Sequence, residues 1–258
     1  MHHLTIRLLL LFAFNAYVAH TSHNLNPIVI VPSYGGTSLT YQQFAHGCST
    51  GTSKIWYDSA NYASTDTMKC WMDRFRTVYN PMTRSSLQAP GIRVQPIVSR
   101  SGLDGIVNVT PPELDLVSDW QYVIASLQSI GYTPGMNIVA SPYDWRFGPT
   151  QIGPFMNQTR VLVEHMYAQT GKQVILLTCS IGSVYTYIFM KTMGRQWVNQ
   201  YIRSFISQAA PYGGAFRFIP VYTTFDTPLH PFIAVQRTWP VTPFMLPNAA
   251  VYGSTWFP

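Results

Sequence analysis

The segment Thr178-Cys179-Ser180-Ile181-Gly182 follows an apolar run, Val174 to Leu177, and precedes a stretch of helical pattern. A serine on a sharp strand-to-helix turn is held out for nucleophilic attack, and the start of the helix favours the negative charge that then develops. Such a turn forces neighbouring backbone together and so asks for small flanking residues. Thr178 departs from this, standing where the pattern usually has glycine. A second element of the same chemistry is Pro32-Ser33-Tyr34-Gly35-Gly36, a glycine-rich turn after the apolar run Ile28 to Val31. Backbone N–H groups on that turn and on the residue after the serine, here Tyr34 and Ile181, suit an oxyanion hole. Each such donor is worth about 3 kcal/mol in the transition state.

A serine nucleophile also needs a base to take its proton and an acid to orient that base, in the chain order serine, acid, histidine. Beyond Ser180 the sequence contains one acid, Asp226, and one histidine, His230. They are the candidates for those two roles, although four residues of separation does not suit the loops after two different strands. Asp144 and Arg146 read as a structural ion pair rather than as chemistry. His165 stands alone on a helical stretch, and no cluster of His and Cys has metal-ligand spacing, so neither a metal nor an organic cofactor is expected.

These residues need elements to position them. Four continuous apolar runs, Ile28–Val31, Ile138–Ala140, Val174–Leu177 and Phe205–Ile206, predict strands buried on both faces. Helical spacing predicts helices over Trp120–Leu127 with Gly131 as its stop, over Asn157–Thr170 ending at Gly171, and over Ser183–Met193 ending near Gly194. Alternating strands and helices mean an α/β fold with a mostly parallel sheet flanked by helices, which puts chemistry at the carboxyl ends of the strands. Residues 41–86 show no sustained period and read as an excursion from the sheet. The tail from Pro211 is rich in prolines and aromatics and shows neither a sustained helix nor a final strand.

The 258 residues, 47% hydrophobic and 14% aromatic, are ample for one large core, so disorder is not the default. Only 10% are charged, which implies a polar rather than ionic surface. The net charge of +6 is carried by scattered Lys and Arg with no basic run, which argues against nucleic acid as a partner. At the N-terminus Arg7 and Leu8–Phe14 precede small residues near Ala19–Ser22, the pattern of a signal peptide over residues 1–22 or of an uncleaved anchor. The sequons at Asn108 and Asn157 fit a secretory route. In an oxidising compartment Cys48 and Cys70 could close a loop, leaving Cys179 over; in a reducing one all three would be thiols.

Further segments run through nearly the whole chain: Ile30-Val31-Pro32, Cys70-Trp71-Met72-Asp73, Val78-Tyr79-Asn80, Ala89-Pro90-Gly91, Pro142-Tyr143-Asp144-Trp145-Arg146 and Ala210-Pro211-Tyr212-Gly213-Gly214. With Ser180-Ile181-Gly182 they resemble the lecithin:cholesterol acyltransferase family of α/β-hydrolases. The resemblance implies that Ser180 takes a phospholipid acyl chain as an ester and passes it to a sterol, another lipid alcohol or water. It implies a Cys48–Cys70 disulfide and a membrane-engaging role for residues 41–86, with Trp56 and Trp71 at a lipid boundary. It makes residues 211–247, which hold Asp226 and His230, a lid-like region. Residues 23–258 then form a partial hydrolase domain that lacks the C-terminal strands expected to carry the acid and base. Two functions compete: an O-acyltransferase or phospholipase A working on a membrane or lipoprotein-like surface with a lipid acyl acceptor, truncated here, or a secreted lipid-binding protein without turnover. Either would be secreted or endolysosomal.

Overall fold

The computed structural model describes residues 25–44, 48, 51–56, 60, 63–110, 120–224 and 231–253. The first part comprises strands β1 (Ile28–Val31), β2 (Leu39–Gln43) and β3 (Gly51–Trp56), helix α1 (Thr65–Phe75), and strands β4 (Thr77–Asn80), β5 (Ser85–Gln88) and β6 (Ile92–Pro96). Helix α2 (Gln121–Ser129), β7 (Ile138–Ala140), α3 (Gly153–Thr170), β8 (Val174–Cys179), α4 (Ile181–Tyr201) and β9 (Ile202–Gln208) follow. The tail carries the short helices α5 (Ile219–Thr223), α6 (Pro231–Gln236), α7 (Val241–Phe244) and α8 (Ala249–Tyr252).

The four expected strands pair in parallel in the order β7-β1-β8-β9. Strands β1, β7 and β8 run apolar because their faces are covered, whereas β9, expected to be buried on both faces, has Arg203 and Ser204 and then Ile206 to Gln208 exposed. Ile28 and Ile30 of β1 face a cluster with Ile124 of α2 and Trp120, whereas Val29 faces Val163 and Met166 of α3 together with Leu176. Helix α3 stops at Gly171, whose φ of 68° lets its N–H reach Tyr167 O at 2.8 Å. Helix α4 outruns its expected end: Gly194 (φ 79°, ψ 165°) kinks it, and the chain resumes helical form up to Tyr201. Strand β9 is the outer strand of this sheet, with Ser204, Ile206 and Gln208 exposed.

The excursion is more ordered than its sequence suggests. Strands β3, β2 and β6 make an antiparallel sheet, and β4 and β5 pair as a hairpin. Helix α1 starts in a capping box, Ser64 Oγ accepting from Thr67 N while Thr67 Oγ1 accepts from Ser64 N. Cys48 and Cys70 are joined, tying the chain beyond β2 to α1. Trp56 and Trp71, expected at a lipid boundary, are instead core residues, 4% and 0% exposed. Their indole N–H groups donate to Gly35 O and Ile55 O, so burial leaves no polar atom stranded.

The tail is partly built into the body. Trp239 is fully buried and donates to Phe75 O (2.8 Å), Val241 N–H donates to Arg146 O (3.1 Å), and Thr77 N–H donates to Thr238 Oγ1 (3.0 Å). The part of the lid-like region from Val235 to Met245 is therefore packed against α1 and the loop after β7.

Candidate active site

Strands β1 and β8 are neighbours, with Val31 opposite Thr178. The two segments singled out for chemistry therefore leave the sheet side by side at its carboxyl edge. Ser180 has φ 53° and ψ −128°, a conformation an L-residue adopts only when its surroundings impose it, at a cost of roughly 1–3 kcal/mol. The imposing contacts are visible: Ser180 N–H donates to Gln208 O at 2.8 Å, and Ser183 N–H donates to Ser180 O at 3.0 Å. Ser180 caps α4, so Ile181 is its first residue, and the N–H groups of Ile181 and Gly182 lack intrahelical acceptors.

Gly182 brings the two segments together. A β-carbon there would stand 2.2 Å from Pro32 O and 2.9 Å from Val31 O, so only glycine lets α4 start this close to the β1 loop. Thr178 is accommodated where glycine is usual because its hydroxyl is satisfied inside, 2.7 Å from Ser183 Oγ and donating to Ile206 O at 3.0 Å.

The β1 loop is fastened by its carbonyls. Tyr143 Oη donates to Pro32 O (2.9 Å), Trp56 Nε1 to Gly35 O (2.7 Å) and Trp145 Nε1 to Thr37 O (3.1 Å). The Tyr34 ring packs on Trp145 and Phe218 at centroid distances of 4.7 and 5.2 Å, and its hydroxyl accepts from Gln236 Nε2 at 2.9 Å. Burial pushes the Tyr34 hydroxyl pKa far up, only partly offset by that hydrogen bond, so the phenol is neutral. Burial does the same to Tyr185, whose hydroxyl donates to Phe147 O at 2.6 Å, with the Asp144 carboxylate adding to the effect.

Asp144 and Arg146 form the structural pair read from the sequence. Arg146 is fully buried; its Nε and Nη2 meet the two Asp144 oxygens at 2.9 and 2.7 Å, and Nη1 donates to Phe75 O. His165 is exposed on α3. Asp226 and His230 lie outside the described residues, as does the 1–22 segment. Asn108 and Asn157 are exposed, while Thr159 of the second sequon is buried against Ser141. Among the described residues no group of three His, Cys, Asp or Glu could hold a metal ion, and no helix is long and apolar enough to cross a membrane.

Sequence reasoning missed the pins of the β1 loop. Trp56, Tyr143, Trp145 and Gln236 act through contacts distant in sequence, which no local spacing encodes. Trp145 and Tyr143 stood within a recognised segment, yet that segment carries no sign of which carbonyl each holds.

A parallel sheet with a strained serine at a strand-to-helix elbow, beside a glycine-rich loop from the neighbouring strand, defines an α/β-hydrolase. The family model described as lecithin:cholesterol acyltransferase matches residues 51–257, and the chain belongs to that family. It is 31% identical over 192 residues to a human protein named lysosomal phospholipase A and acyltransferase, covering 72% of this chain and 45% of that protein. The mouse protein of the same name is 32% identical over 191 residues, covering 71% and 45%. A chicken phosphatidylcholine-sterol acyltransferase is 27% identical over 187 residues, covering 70% of this chain and 44% of its own length. The chain thus spans less than half the length of these relatives.

Proposed function

We propose that this chain carries the nucleophile half of a lipid O-acyltransferase or phospholipase A. The Ser180 hydroxyl attacks the acyl carbonyl of a phospholipid; the Oγ–C bond forms as the ester C–O bond breaks, and the lysophospholipid leaves as an alcohol. A sterol, another lipid alcohol or water then takes the acyl group from the serine. The Tyr34 and Ile181 N–H groups hold the oxyanion in both steps.

The observation that carries this reading is the strained Ser180 backbone (φ 53°), held by Gln208 and by the close approach of Gly182 to Pro32. Strained backbone of this kind collects at functional sites. The names of the relatives support the lipid substrate and, for the human and mouse proteins, a lysosomal location. Asp226 and His230 are the candidates in this chain for acid and base, residues 41–86 for contact with a phospholipid surface, residues 211–247 for a lid, and Asn108 and Asn157 for glycosylation.

The test is labelling of the purified chain by a fluorophosphonate in the presence of phosphatidylcholine liposomes, since this probe reports an activated serine whatever the acceptor. Labelling should occur and should vanish in Ser180→Ala. Liposome binding by a folded chain without labelling would reject turnover by this chain and leave the lipid-binding reading.

A further inference from the structure

On the β7 side of the β1 loop, a cavity of about 360 Å³ lies between the β4–β5 hairpin, β6, the loop after β7 and the start of α3. Its size falls among small-ligand clefts, roughly 300–1,000 Å³. Neither Ser180 nor Tyr34 lines it. The wall is mainly apolar, built from Leu87, Val94, Pro142, Tyr143, Ile152 and Phe155.

The glutamine and aspartate side chains on the wall are already engaged with the protein. Gln88 is bound both ways to the Val94 backbone, Nε2 donating to O (2.7 Å) and Oε1 accepting from N (2.5 Å). Gln151 does the same with Ser86, at 2.6 and 3.0 Å, which ties the hairpin to the segment that opens α3. Gln158 Nε2 donates to Pro142 O (3.1 Å), and the Asp144 carboxylate is held by Arg146. An anionic ligand would lose its hydration here and meet only the Asp144 carboxylate, whereas an aliphatic chain has no charge to desolvate. The glutamine braces also hold the walls apart before any ligand arrives, which lowers the entropy lost on binding.

We propose that this cavity binds one uncharged aliphatic chain, at a site separate from the Ser180 ester. The proposal stands on the lining and does not rest on the reading of Ser180. Tyr143 links the two places: its ring walls the cavity, and its hydroxyl holds Pro32 O at the root of the β1 loop. A chain in the cavity therefore presses on the ring that fixes this loop.

The experiment is titration of the full chain with decanol and with decanoate, each below its micellar concentration, followed by calorimetry and by Tm. The wild-type chain and Ser180→Ala should bind one decanol with equal affinity. Tm should rise by about 5–10 °C at a hundredfold excess over Kd, and decanoate should bind at least tenfold more weakly. Leu87 is half exposed at the rim, so Leu87→Trp and Leu87→Asp can be made without disturbing the core; each should weaken decanol binding tenfold or more. The proposal is overturned by decanol binding that survives both Leu87 variants, by loss of binding in Ser180→Ala, or by decanoate binding as well as decanol. Absence of any decanol effect would leave the cavity to a polypeptide segment and equally overturn it.

Discussion

At Ser180 the useful information lies in the backbone. A φ of 53° with ψ −128° persists because Gln208 O, Ser183 N–H and the Gly182–Pro32 approach over-determine it. Gly182 is the residue on which that approach depends, since the obstacle to a side chain there is backbone, which cannot rotate away. Gly182→Ala should cost about 1–3 kcal/mol of stability and should slow fluorophosphonate labelling more than tenfold, because α4 must retreat from the β1 loop, where the second oxyanion donor is proposed. Labelling at the wild-type rate would mean that the elbow does not need this contact. Asp144 tests the opposite role, stability without chemistry. Asp144→Ala leaves the fully buried Arg146 guanidinium without its partner and should cost about 3–5 kcal/mol in urea denaturation. A loss below about 1 kcal/mol would place this pair with surface ion pairs and remove it as the brace between the β7 loop and α1.

Among the elements, legibility followed burial. Strands β1, β7 and β8 were readable because a sheet covered on both faces writes itself as an unbroken apolar run, and α3 because eighteen residues repeat the helical period and end at glycine. The excursion was not readable as strands: β3 begins with exposed Gly51, Thr52 and Ser53, so its only inward signal is Ile55-Trp56 at one end. Helix α1 did carry a signal that was passed over, Trp71 and Phe75 four apart after a Ser64 cap. The tail helices of four to six residues are shorter than the span over which a period can be seen. The turn at Ser180 and the glycine-rich loop at Tyr34 were legible because each pattern is local; what holds them was not, because it comes from Trp56, Trp145 and Gln236. Within the excursion, α1 is held to β2 and the segment after it by the Cys48–Cys70 bond and by Arg74, whose Nε donates to Gln43 Oε1 at 2.7 Å and whose guanidinium lies over the Tyr41 ring. The bond closes a loop of 22 residues, so replacing both cysteines by serine should cost about 3 kcal/mol. Urea midpoints of the two forms check this, and a difference under about 0.5 kcal/mol would show that the Arg74–Gln43 contact holds the loop by itself.

The segments that look separate in sequence share one aromatic core. Tyr34 of the β1 loop, Trp56 of β3, Phe75 of α1, Trp145 after β7 and Trp239 of the tail meet with ring centroids between 4.7 and 6.3 Å. Such a core predicts that the excursion, the β1 loop and the tail unfold together, and alkaline titration can reveal it. Tyr34, Tyr143 and Tyr185 hold their hydroxyl protons far more tightly than ordinary tyrosines, chiefly because burial opposes the phenolate. In the unfolded chain the same groups titrate near about 10. Below that pH both states keep the protons and the stabilisation is intact; above it the unfolded chain releases them while the folded chain does not, so stability falls as pH rises. Tyrosinate absorbance should therefore show the exposed tyrosines titrating reversibly, and then a delayed step from these three that coincides with loss of the near-ultraviolet dichroism of the tryptophans. Tyr185→Phe should shrink the delayed step by about a third, as one of three equal contributions, and leave its coincidence with unfolding unchanged. If the three titrate smoothly with the rest while the tryptophan signal persists, water reaches Tyr34 and Tyr185 in the folded chain, and the excursion and tail open independently of the sheet.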